Sequence, residues 1–193
     1  PEQHGHLATV GYDVYCKLIE ETLHEVQGGS MNPSELETRV DLKVDAYLPS
    51  DYVRDERQRM EMYKRIAGLT TEEDRSDIID ELLDRFGETP AVVDALLDIA
   101  QLRALANRLG VSQVLYRKGQ LMMKFNNQYA PDMKVFLPAM AVDKRLSFSA
   151  APAALLLKDM RLEERDMLQE GVAVLKKLTA RVNELKEQAA QQA

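Results

Sequence analysis

The chain has 193 residues, 45% of them hydrophobic and 30% charged, a composition that suits a soluble globular protein of one or two units and excludes a disordered or fibrous one. Its 25 basic residues against 32 acidic ones leave a net charge of −7, the wrong sign for gripping phosphate backbones over a whole surface. Cys16 is the single cysteine, which rules out an internal disulfide and a thiolate zinc cluster and fits a reducing cytoplasm.

The N-terminal stretch is not a secretory signal, and no run approaches the ~18 apolar residues of a membrane span. The opening "PEQHGHLATVG" has no initiator methionine, which predicts a piece cut from a longer protein. From Tyr12 to Gln27 the residues Tyr12, Tyr15, Ile19, Leu23 and Val26 recur at helical spacing and Gly28-Gly29 stops the run, so the first element is an amphipathic helix. The polar stretch "GGSMNPSELE" reads as a linker. In "TRVDLKVDAYL", Val40, Leu42, Val44 and Ala46 alternate with Arg39, Asp41, Lys43 and Asp45, the pattern of a strand buried on one face.

Three helices are predicted next. The first carries Met60, Tyr63 and Ile66 on one face and ends near Gly68; its charged start "DERQR" reads as a solvated face. The second opens at "TTEE", where Thr70 and Glu73 offer a capping box, and runs to Phe86 with Gly87 past its end. Thr89 caps the third, whose first residue is Pro90, and the helix continues to Gly110. "SQVLYRKGQLMMKFN" then has the form of a hairpin turning at Lys118-Gly119, and "RLSFSA" and "AALLLKDM" are two further strands. "APDMKVFLPAMA", between the hairpin and these strands, is a short helix limited by Pro138. From Arg161 to about Ala190, Leu168, Leu175, Leu178, Val182, Leu185 and Ala189 approximate a heptad seam, read as packing within the domain ahead of a dimeric coiled coil. The fold class is therefore α/β (α+β), a small mixed or antiparallel sheet with several covering helices and a preceding linker helix.

The chemistry of the common enzymes is missing. A phosphate loop of the form G-x-x-x-x-G-K-[ST] does not occur, nor does a G-x-S-x-G nucleophile elbow. His4, His6 and His24 match no metal-ligand spacing with Cys16, which itself falls inside the first amphipathic run as an inert thiol. The acidic residues are too many for spacing to single out an acid-base pair, and the methionines read as core filler.

"ELLDRFGETP" poses a separate question. At about 100° per residue, Ile78, Ile79, Leu82, Leu83 and Phe86 share a buried side spanning about 140°, and Glu81, Asp84 and Arg85 fall together opposite it. Glu81 and Arg85 have the favoured i, i+4 spacing of an ion pair, but Asp84 lies near the helix C-terminus, where the dipole disfavours an anion. Such a face either meets water or docks on a partner.

The run "VDLKVDAYLPSDYVRDERQRMEMYKRIA", then "ELLDRFGETP" and "LLDIAQLRALANRLGV", closely resembles the C-terminal domain of bacterial transcription-repair coupling factors over about Glu35 to Val111, and the remainder fits that family more loosely. "QHGHLATVGYDVYCKLIEE" resembles the segment that joins the family's motor to this domain, with His4 where a small residue is usual. The resemblance implies residues 1–34 as a linker helix segment after the motor and 35–193 as a regulatory domain. It implies a cytoplasmic, monomeric, non-catalytic module that docks on the UvrB-like repair-recruiting domain of the same parent and masks the surface for the damage-recognition ATPase UvrA. The parent, in the family's terms, is a DNA translocase that removes stalled RNA polymerase, so ATP and Mg belong to it and this fragment needs no cofactor. The family's docking motif, E-x-x-D-R-F-G, falls on Glu81 to Gly87 and makes Glu81, Asp84 and Arg85 the expected partner-binding residues. The rivals are an enzyme built on the acidic clusters and a stand-alone protein-interaction or nucleic-acid-binding domain of a helicase.

Overall fold

A computed structural model describes residues 38–125, 131–160 and 163–191. The expected helix over 12–27, with Cys16 and the three histidines, lies outside the described residues. Among the described residues the chain divides into two compact units, one formed by Val44–Gln101 and the other by residues 38–43 with 102–191.

The first unit is helical. Helix α1 spans Glu56–Ala67, capped by the Asp55 carboxylate, which accepts from the Gln58 amide at 2.9 Å, and closed by the Gly68 amide on Lys64. Helix α2 spans Glu72–Phe86. Its capping box is formed by Thr71 and Asp74, one residue later than the expected Thr70 and Glu73. The short Asp74 carboxylate accepts from the backbone amides of both Thr70 and Thr71, at 2.9 and 2.7 Å, while the Thr71 hydroxyl accepts from the Asp74 amide. Those bonds hold the Asp74 carboxyl down at a pKa of about 2. Gly87 ends the helix at φ 85, a conformation that favours glycine. Helix α3 spans Ala91–Arg108, so Pro90 stands just before it; the Pro90 carbonyl accepts from the Val93 and Asp94 amides, and the Thr89 hydroxyl donates to the Asp94 carboxylate.

Leu48, Val53, Met62, Ile66, Leu69, Ile78, Leu82 and Leu96 are buried in this unit. Two hydrogen bonds tie buried polar groups across it: the Tyr63 phenol oxygen accepts from the Leu48 amide at 2.8 Å, and Arg75 donates to the buried Asp98 at 2.8 Å. Burial also pushes the Tyr63 phenol's pKa up. Met60, expected inside, is 37% exposed, whereas Met62 is fully buried. Setting Met62 at zero, the buried Ile66, Tyr63 and Ala67 fall at about 40°, 100° and 140°, and Met60, at about 160°, lies just past the edge of that arc.

The second unit is built on a five-stranded mixed sheet of order β1-β2-β3-β5-β4, with strands β1 (Arg39–Asp41), β2 (Val111–Arg117), β3 (Gln120–Phe125), β4 (Leu146–Ala150) and β5 (Ala153–Leu157). β1 runs parallel to β2 and the other pairs are antiparallel. The expected long first strand is only three residues, because beyond Asp41 the chain leaves β2 and enters the other unit at Val44. The β2–β3 hairpin turns at Lys118 and Gly119, both at positive φ (51 and 77), as a two-residue turn matched to strand twist requires. Leu121, Met123 and Phe125 of β3 and Leu155 and Leu157 of β5 are buried, and Phe125 meets Phe136 edge-on at 5.4 Å between centroids.

Helix α4 spans Met133–Ala139, capped by Asp132, and a 3-10 turn follows at Met140–Val142. Helix α5 spans Glu164–Gln191 and packs against both. Its seam residues Leu168, Leu175, Leu178 and Val182 are buried, Leu185 is half-buried and Ala189 is exposed, so the seam is spent inside the unit. A Cβ on Gly171 would lie 3.1 Å from the Leu121 side chain, which is why the helix approaches β3 at a glycine. Arg145 joins the start of β4 to α5 by pairing with Asp143 and Glu170, and its guanidinium holds the Asp143 carboxyl below the usual carboxylate range.

Leu82 has no exposed surface while its neighbour Leu83 is 53% exposed. Leu82→Ala should therefore cost about 2 to 5 kcal/mol, and Leu83→Ala less than about 1 kcal/mol, in denaturant unfolding. Equal costs would mean that α2 is rotated otherwise. The depressed Asp74 carboxyl stabilises the fold only when ionised. The advantage of the natural chain over Asp74→Ala should be complete above the free value of 3.8 and vanish as pH falls toward about 2. Unfolding midpoints of both proteins between pH 6 and pH 2 check this; a pH-independent difference would refute it.

Candidate functional site

Helix α2 presents two faces besides its buried one. Setting Ile78 at zero, Leu82 falls at about 40°, Phe86 at about 80° and Leu83 at about 140°, whereas Arg85 and Glu81 fall at about −20° and −60°. Ile78 and Leu82 are buried, Ile79 and Phe86 are half-buried, and Leu83, at the margin of the arc, is exposed. Glu81 and Arg85 thus flank the buried centre rather than oppose it, and Asp84, at about −120°, turns to solvent. The expected triangle of Glu81, Asp84 and Arg85 is resolved into a pair and a separate acid.

The pair is tied to the neighbouring helix. Oε1 of Glu81 accepts from Arg85, and Oε2 is paired with Arg65 of α1. Arg85 also lies against the sulfur of Met62 at 3.9 Å and over the Phe86 ring, 5.0 Å from its centroid. Phe86 in turn meets the Tyr52 ring edge-on at 5.9 Å, and the Tyr52 hydroxyl donates to the Gly87 carbonyl at 2.9 Å. The Tyr52 phenol's pKa is raised, chiefly by its partial burial and then by the Asp94 carboxylate. The E-x-x-D-R-F-G motif is therefore held at its end by Tyr52, from the loop before α1, and at its side by Arg65.

Asp84 is exposed and, among the described residues, makes no hydrogen bond or ion pair. It stands in the last turn of α2, where the carbonyl ends of the peptide dipoles repel it. Asp77 and Asp80 are exposed on the same side, and Leu83 adds an apolar side chain beside them. Arg65 and Tyr52 carried no signal in the sequence, since each reaches α2 only through the packing of α1 and its preceding loop. Pair spacing within α2 was visible, but a contact between helices is not a spacing.

Among the described residues no group of His, Cys, Asp and Glu could hold a metal ion, and no helix is long and apolar enough to cross a membrane. In the second unit a cavity of about 420 Å³ is lined by Asp41, Lys43, Gln113, Tyr116, Arg117 and Lys124, among others. Its Lys124 is hydrogen-bonded to Gln113 and its Tyr116 to the Met160 carbonyl, and it contains no pairing of nucleophile with base. The geometry of α2 supports recognition by weak charged contacts; it supplies no reacting group.

Residues 42–136 match the TRCF domain family, which includes all of α2 and its motif. The transcription-repair-coupling factor of Bacillus subtilis (strain 168) is 30% identical over 132 residues, which cover 68% of this chain and 11% of that protein. That of Staphylococcus aureus (strain USA300) is 40% identical over 114 residues, covering 58% of this chain and 10% of that protein. This chain thus spans about a tenth of the length of the curated relatives it matches. A crystal structure of the C-terminal domain of a transcription-repair coupling factor has the same fold, with a TM-score of 0.66 and 24% identity over 77% of this chain and 94% of the other. With its motif at Glu81 to Gly87 inside the matched region, the chain belongs to the TRCF-domain family of transcription-repair coupling factors.

Proposed function

We propose that this chain is a non-catalytic regulatory module at the C-terminus of a cytoplasmic coupling factor, with residues 1–34 linking a motor to the regulatory domain at 35–193. The module docks through Glu81, Asp84 and Arg85 on the UvrB-like repair-recruiting domain of the same parent and masks the surface that UvrA would bind. The parent is a DNA translocase, driven by ATP with Mg, that clears stalled RNA polymerase. The fragment itself is a monomer with no cofactor.

The observation that carries this reading is Asp84. An exposed aspartate opposed by the helix dipole and lacking a partner among the described residues gains nothing for the fold, and a cation on a docked surface would stabilise it. Half-exposed Leu83 beside it offers apolar area to the same partner. Exposed ion pairs contribute little individually, which suits a contact that must open.

In the full-length parent, Asp84→Lys should open the clamp and increase capture of UvrA even without polymerase, since like charges brought together at an interface cost several kcal/mol. Arg85→Glu should act in the same direction. Thermal unfolding of the chain should shift by no more than about 0.5 kcal/mol for Asp84→Lys, and by less than about 1 kcal/mol for Arg85→Glu, which also loses the Glu81 pair. Normal folding with unchanged UvrA capture in both variants would return this face to a purely solvated role.

A further inference from the structure

Glu81 is one carboxylate shared by two guanidiniums from two helices, with Arg85 on one oxygen and Arg65 on the other. The cluster has two positive charges and one negative, so it carries an excess of one positive charge, and Asp84, on the same helix, makes no hydrogen bond or ion pair among the described residues. Of the three side chains Arg65 is the most open, 43% exposed against 29% for Arg85 and 21% for Glu81. A guanidinium has five donors in a rigid planar fork, and its bond to Glu81 leaves most of that fork free to bind an acceptor. An arginine needed only to brace α1 against α2 could be as closed as Glu81 itself.

We propose that Arg65 is a fourth residue of the docking surface, which then extends over two helices, and that it binds a carboxylate on the repair-recruiting domain of the parent. Glu81 positions Arg65 and Arg85 side by side as an anion-binding edge, and Asp84 forms the cation-binding edge next to it. The surface is therefore dipolar. Its partner must present an acidic group opposite α1 and a basic group opposite Asp84, an arrangement that sets the register of docking as well as its strength.

The inference rests on the docking reading, and the experiment separates the two. The apparent Kd of the full-length parent for UvrA is titrated for Asp84→Lys, Arg65→Glu and Arg65→Lys, with the thermal midpoint of each. Because a masked surface lowers apparent affinity by the fraction of molecules that are open, Arg65→Glu should tighten UvrA binding by roughly tenfold or more. Arg65→Lys keeps a cation for Glu81 but loses the planar fork, so it should tighten binding by roughly threefold at an unchanged midpoint. If Asp84→Lys tightens binding and Arg65→Glu leaves it at the natural value, docking stands and Arg65 is not part of it. If Arg65→Glu acts but Arg65→Lys does not, Arg65 is only a brace between helices and the inference fails. Natural affinity in all three variants overturns the docking reading and this extension together.

Discussion

Complete burial of Leu82 sets the rotation of α2, and the placing of every charged residue on that helix follows from it. With Leu82 and Ile78 facing inward, Glu81 and Arg85 lie along the border with α1 and Asp84 is turned out to water. A rotation of one residue, about 100°, would bury a charge and expose a leucine. A buried leucine side chain is worth on the order of 1.5 to 3 kcal/mol, several times the worth of an exposed ion pair. The apolar term therefore decides the geometry, and the charges take the positions it leaves them.

Those positions have different mechanical characters. Glu81 is locked between Arg65 and Arg85, and the far end of the motif is closed by Phe86 against Tyr52 and by the Tyr52 hydroxyl on the Gly87 carbonyl. The Asp84 and Leu83 side chains sit exposed on this support, and among the described residues Asp84 has no hydrogen bond or ion pair. A surface prepared in this way gives up little side-chain entropy on docking where it is braced. Its individual contacts are each weak, which suits the releasable docking proposed for this face.

The second unit solves a different packing problem. Its long helix α5 approaches β3 at Gly171, where a methyl group would crowd Leu121, and Arg145 links β4 to α5 through Glu170. The seam of α5 is covered as far as Val182, so the helix packs its apolar seam residues within its own unit.

Much was legible in the sequence where a short-range pattern carries the physics. The hairpin at Lys118-Gly119, the strands at Leu146–Ala150 and Ala153–Leu157, the helix ends at Gly68 and Gly87 and the mixed α+β class all follow from periodicity and turn chemistry within a few residues. The E-x-x-D-R-F-G motif was equally visible, since a motif is a local fact. Tertiary structure alone decided which margin of each helical arc meets solvent, as at Met60 and Leu83, because a 140° arc does not say where its neighbour will sit. It also decided that β1 ends after three residues, where β2 ceases to be its neighbour. The bond of Arg65 to Glu81 joins residues sixteen apart on two helices; no spacing encodes it, and it exists only because the packing of α1 against α2 brings the two side chains together.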